Sequence, residues 1–139
     1  MTIQLKKLDS GAVLPSYANS GDAGIDFYAN EAVTINPGER KIVKTGIALA
    51  IPPGYVGLIW DKSGISSKYG LKVMGGVIDS GYRGEIQVII INLSNEAYNI
   101  DKGKKIAQML IQPIERKKII EVDKLDDTER SSAGFGSTG

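Results

Sequence analysis

Short apolar runs recur along the whole chain, and nearly every one is closed within a few residues by a turn signal. The runs at 3–8, 24–28, 32–35, 40–51, 55–60, 71–74, 85–93, 104–114 and 118–122 are alternating or rich in β-branched residues. Between them stand Asn36-Pro37-Gly38, Pro52-Pro53-Gly54, Gly75-Gly76 and Asp101-Lys102-Gly103. The pattern and its spacing predict an all-β sandwich. Only 63–69 suits a short helix, with Ser63 as its cap and Gly70 as its stop. The run 85–93 begins as an alternation and becomes apolar on both sides. One side packs on the core, and a second subunit is the expected cover for the other.

With 139 residues, 42% apolar and 24% charged, the chain reads as one folded domain. Seventeen Lys and Arg against sixteen Asp and Glu leave a net charge of +1. That gives no field for holding nucleic acid or an anionic membrane surface, and neither partner is expected. No apolar run approaches the roughly 18 residues of a membrane span, nor does the N-terminus carry a signal-peptide core. The expectation is a soluble, intracellular, cytoplasmic protein. The absence of Cys and His removes thiol nucleophiles, imidazole acid/base chemistry and the usual zinc ligands. Carboxylates must then carry any proton transfer.

Five loops hold candidate chemistry, each with an ordinary reading beside it. Asp26, in Ala23-Gly24-Ile25-Asp26-Phe27, follows a Gly-containing turn and is by itself a turn or cap residue. Lys62-Ser63-Gly64 offers a cation, a hydroxyl and backbone N–H groups at the mouth of the helix, or simply caps it. The segment 76–86 reads as a hairpin anchored by Val77 and Ile78, with Gly76 at its entry and Asp79 and Tyr82 at its tip. In 101–109, Gln108 either faces solvent beyond a turn or adds a donor for an anion. The tail 130–139 concentrates Arg130, Phe135, Gly136, Ser137 and Thr138 where nothing remains to fold around. Alone it is a solvated Gly/Ser tail. As a ligand-ordered segment it supplies a phosphate fork, hydroxyl donors, close backbone approach and a stacking ring.

Taken in order, these five segments resemble the trimeric deoxyuridine triphosphatase (dUTPase) family, which hydrolyses dUTP to dUMP and pyrophosphate. The likeness runs from about residue 18 to the C-terminus, and its third and fifth motifs, 76–86 and 130–139, are the specific ones. It implies a jelly-roll domain over 1–122 and a C-terminal arm over 123–139 that closes on the nucleotide. It also implies a homotrimer whose shared sites draw on several subunits, and Mg2+ carried by the substrate phosphates without direct protein ligands. The cellular role that follows is to lower dUTP and supply dUMP for dTTP synthesis.

Carried over residue by residue, Asp79 is the general base and also touches the 3′-hydroxyl. Tyr82 lies against the deoxyribose, and the backbone around Gly76, Val77 and Ile78 reads uracil. Lys62, Ser63, Gly64 and Gln108 hold phosphates, as do Arg130 with Gly136, Ser137 and Thr138 at the far end, while Phe135 stacks on the base. Asp26 orders the site, through metal-bound water in one version. Two departures stand out: Lys62 and Lys105 occupy positions where the family usually shows Arg, and lysine is a point charge without a fork. Asp61, beside Lys62, is also less usual and is expected to neutralise it in part.

The nearest rival with the same fold is a dCTP deaminase or bifunctional deaminase-diphosphatase. Those enzymes need a glutamate ten residues beyond the aspartate, where this chain has Ile89, and usually Trp in place of Tyr82. A non-catalytic regulatory β-sandwich is the other alternative, and retention of Asp79, Tyr82, Arg130 and Phe135 together argues against it.

Overall fold

The computed structural model describes residues 2–138; Gly139, the last residue of the tail motif, lies outside them. One antiparallel sheet contains β1 (Gln4–Lys7), β4 (Arg40–Ala50), β8 (Glu85–Asn92) and β6 (Leu71–Val73), in that order. A second contains β2 (Ile25–Tyr28), β10 (Lys105–Pro113), β5 (Tyr55–Trp60) and β7 (Val77–Ile78). A two-stranded ribbon pairs β3 (Val33–Ile35) with β9 (Tyr98–Ile100). The result is a jelly-roll sandwich of short strands.

Alternation decides which side chains enter the core. On β8, Ile86, Val88 and Ile90 are buried, while Gln87 between them is exposed. They meet Phe27, Ile59, Ala107 and Met109 of the second sheet and Ile35 and Ile100 of the ribbon in one continuous cluster. Asn92 is the buried polar exception. Its amide donates to the Ile35 and Glu96 carbonyls at 2.9 and 2.7 Å, and its oxygen accepts from Ser94, so its desolvation is offset on every side.

Four details depart from the sequence expectation. Helix α1 (Ser63–Tyr69) forms, but Lys62 is its N-cap and makes no side-chain cap bond; Ser63 is already helical. Gly70 does stop the helix, in the left-handed conformation, with its N–H on the Ser66 carbonyl at 3.0 Å. β7 and β8 do not make a hairpin, because β7 pairs with β5 while β8 pairs with β4 and β6. The turn between them therefore crosses from one sheet to the other, and Val77, 69% exposed, anchors nothing. Lastly, 118–122 is not a strand: it pairs with no strand among the described residues, so its alternation forms no ladder, and Ile119 and Ile120 stand exposed.

Candidate active site

Asp26 is the geometric centre of the first cluster. It sits on β2 with only 1% of its surface exposed. Lys62 Nζ donates to its Oδ1 at 2.6 Å, and Lys105 Nζ pairs with its Oδ2 at 2.8 Å. Burial alone would push this carboxyl up. The bonds and charges of Lys105 and Lys62 outweigh burial and hold Asp26 below its ordinary value, so it stays ionised. The hydrogen bond to Asp26 in turn raises Lys105 above the usual lysine range. Strand β2 supplies the acid, the β5–α1 junction one cation, and the start of β10 the other.

Gln108 lies directly opposite Asp26 on β2 and opposite Trp60 on β5, so the three occupy one row across the second sheet. Its Nε2 donates to the Asp61 carbonyl at 2.8 Å. A carbonyl only accepts, which fixes the nitrogen on that side and turns Oε1 toward Gly24. A Cβ at Gly24 would stand 2.2 Å from Oε1, so a side chain there would force the Gln108 amide to move. Beside this row lies a cavity of about 300 Å3 lined by Lys62, Gly64, Ile65, Lys68, Lys104 and Lys105. Ser63 and Gly64 are exposed at its edge, and nothing lies within 4 Å of where a Gly64 Cβ would be.

A second groove, of about 270 Å3, gathers Asp79, Tyr82, Val77, Ile78, Ile42 and Ile89. Gly76 leads into it with φ 144, and a Cβ there would meet the Ile59 Cβ at 2.6 Å; both facts demand glycine. The Gly76 carbonyl accepts from Ile59 N–H at 2.8 Å, which ties the segment to β5. Tyr82 is held at both ends: its N–H donates to the Asp79 carbonyl at 3.1 Å and its hydroxyl to the Glu85 carbonyl at 3.0 Å. Ile89 presents an apolar side chain where a deaminase of this fold would need a carboxylate.

The tail forms a third, separate piece. Arg130 Nε donates to the Ala133 carbonyl at 2.9 Å within the tail itself, and Phe135 is fully exposed with φ 50. Gly136, Ser137 and Thr138 are exposed in the following turn.

A dUTPase family model matches residues 11–139. The chain belongs to the dUTPase family. It is 48% identical over 141 residues to the deoxyuridine 5′-triphosphate nucleotidohydrolase of Clostridium kluyveri, with 100% of this chain and 99% of that protein covered. The namesake from Nautilia profundicola is likewise 48% identical over 141 residues, with the same coverage. Among solved structures, the Staphylococcus bacteriophage 80alpha dUTPase with dUpNHpp is similar at a TM-score of 0.93 and 34% identity, covering 99% of this chain and 98% of that one. A mutant dUTPase of phage phi11 of S. aureus, described for the coordination of a structural Mg(II) ion, has a TM-score of 0.84 and 32% identity over 89% of this chain and 98% of that one.

In this dUTPase chain the sequence-derived residues fall into three groups. Lys62 and Gln108 meet at Asp26, with Gly64 on the wall of the adjoining cavity and Ser63 beside it in sequence, Asp79 and Tyr82 share a groove with Val77 and Ile78, and Arg130 and Phe135 line neither cavity. The two cavities share no lining residue. Sequence reasoning missed the close approach of Gly24 to Gln108 and the convergence of both lysines on Asp26. It also misdirected Asp61, whose carboxylate faces Lys72 and the Val73 N–H. Among the described residues no group of three or more His, Cys, Asp or Glu side chains lies together in a way that would hold a metal ion.

Proposed function

We propose that this dUTPase-family chain hydrolyses dUTP to dUMP and pyrophosphate by water attack at the α-phosphorus, in a homotrimer whose sites combine groups from different subunits. The observation that carries the reading is the dispersal of the site groups. One chain presents a cationic pocket, a separate Asp79–Tyr82 groove and a detached tail, three pieces that become one site only when copies assemble. The apolar side chains left exposed along the arm, Ile119 and Leu125 among them, and Ile42 on the wall of the Asp79 groove support assembly further.

The roles follow from chemistry. Asp79 is an exposed carboxylate in a chain without histidine, suited to take the proton of the attacking water. Tyr82, with its backbone tied to Asp79 and its hydroxyl to the Glu85 carbonyl, closes the sugar side against a 2′-hydroxyl, and the Gly76–Ile78 backbone reads the base. Lys62, Ser63, Gly64 and Gln108 bind phosphate oxygens. The tail adds Arg130, Gly136, Ser137 and Thr138 at the γ-phosphate end and stacks Phe135 on uracil.

Mg2+ would enter on the triphosphate. When bound, it neutralises phosphate charge and favours departure of pyrophosphate. The residues present fit a metal held mainly by substrate, for Asp26 is ionised but its two oxygens already meet Lys62 and Lys105.

The test is pyrophosphate release from dUTP, UTP, dCTP and dTTP with Mg2+ present. dUTP should be cleaved far faster than the other three. Comparable rates on UTP, or ammonia release from dCTP, would overturn the reading.

A further inference from the structure

An acid next to the cation of a phosphate-binding loop ought to weaken that cation. In this chain the carboxylate of Asp61 turns the other way. Its Oδ1 accepts the Val73 N–H at 2.6 Å, and its Oδ2 pairs with Lys72 Nζ at 2.5 Å, both on the edge strand β6. Its carbonyl accepts Gln108 Nε2. Three elements therefore meet at one residue: the end of β5, the edge of the first sheet, and the amide that shares a row with Asp26. Lys62 is left to Asp26 alone among the described acids.

We infer that Asp61 is a positioning residue for triphosphate binding, an inference that rests on the dUTP reading above. Its side-chain bonds to β6 fix the orientation of the 61–62 peptide. That peptide sets both the Asp61 carbonyl, which holds Gln108, and the backbone of Lys62, which caps α1. The other end of the same Gln108 amide lies against the backbone of Gly24, where a side chain would collide with it. Without the staple, Lys62 and Gln108 lose register together, although neither is altered. The uracil and sugar groove around Asp79 is lined by none of these residues and stays as it was.

The experiment compares the parent with Asp61→Ala, Asp61→Asn and Lys72→Ala, reading kcat and KM for dUTP and competitive inhibition by dUpNHpp and by dUMP. In Asp61→Ala, KM and the dUpNHpp inhibition constant should rise about tenfold, kcat should stay within about threefold, and dUMP inhibition should not change. Asp61→Asn keeps an oxygen for the Val73 N–H and should return both constants to within about twofold of the parent. Lys72→Ala loses only the ion pair and should do the same. The inference is overturned by unchanged dUpNHpp inhibition in Asp61→Ala, by equal weakening of dUMP and dUpNHpp, or by failure of Asn to rescue. If Asp61→Ala does not assemble, Asp61→Ser, whose hydroxyl is too short for the Val73 N–H, carries the same outcomes. A parent inactive on dUTP would instead refute the functional reading, so the two failures are separable.

Discussion

Lys62 and Asp26 form a 2.6 Å ion pair between the β5–α1 junction and strand β2, 36 residues apart, with the carboxylate buried and the ammonium partly exposed. Lys105 completes the arrangement from the other side at 2.8 Å. One acid thus gathers both lysines. A lysine without a fork gains direction when its ammonium is anchored to a fixed oxygen.

Asp26→Asn should free both lysines. Because their heads can turn to water, the cost is that of lost charged hydrogen bonds, about 1–3 kcal/mol, rather than that of a stranded buried charge. KM for dUTP should rise. The pH dependence gives an independent check. Asp26 is depressed in the folded state, so its stabilisation is present above the ordinary aspartate value of 3.8 and is lost as pH falls through the folded value. Urea midpoints of parent and variant should differ at pH 7 and converge in strong acid.

Asp79→Asn keeps size and exposure but cannot accept the water proton. Turnover should fall on the order of a hundred- to ten-thousand-fold. Substrate affinity and melting temperature should stay near those of the parent. Turnover within a few-fold of the parent would assign the base to another group.

Two glycines should separate space from function. Gly24→Ala places a methyl 2.2 Å from Gln108 Oε1, so melting temperature should fall, with a cost of about 1–3 kcal/mol, and KM should rise as Gln108 is displaced. Gly64→Ala meets nothing within 4 Å, and its stability should be unchanged or slightly higher. A raised KM in Gly64→Ala without loss of stability marks close approach of phosphate there.

Removing 130–139 takes away few buried contacts, since nearly all the tail side chains are exposed, so the melting temperature without nucleotide should barely move while kcat/KM collapses. Phe135→Ala should weaken nucleotide binding by about 1–3 kcal/mol, roughly five- to 150-fold, if the ring stacks on the base. A large stability loss on truncation would show that the tail holds the fold instead.

Eight of the nine runs read from the sequence are strands, and their spacing alone conveys the sandwich. The ninth, 118–122, has the pattern of a strand but no partner among the described residues, and periodicity carries no information about partners. Tyr98–Ile100 escaped notice because a three-residue strand with Asn in its middle shows no period. The supposed hairpin at 76–86 failed for a different reason. Nearness in sequence suggested pairing, yet the two strands serve different sheets, and the crossing places Asp79 and Tyr82 in a groove under Ile42 and Ile89. Residue types announced the chemistry of Lys62, Asp79 and the tail. The direction of Asp61 and the fit of Gly24 against Gln108 depend on how three strands come together, which no local pattern records.

The shared site is tested most directly by mixing two disabled chains. Asp79→Ala and a chain ending before Arg130 should each be nearly inactive as pure trimers. Refolded together in equal amounts, they assort at random. A site works only when its Asp79 comes from a truncated chain and its tail from an Asp79→Ala chain, about one half times one half. Activity near a quarter of the parent's, recovered on mixing, is the expected result. No activity from verified mixed trimers would place the Asp79 segment and the tail of each site in the same subunit and contradict the shared site.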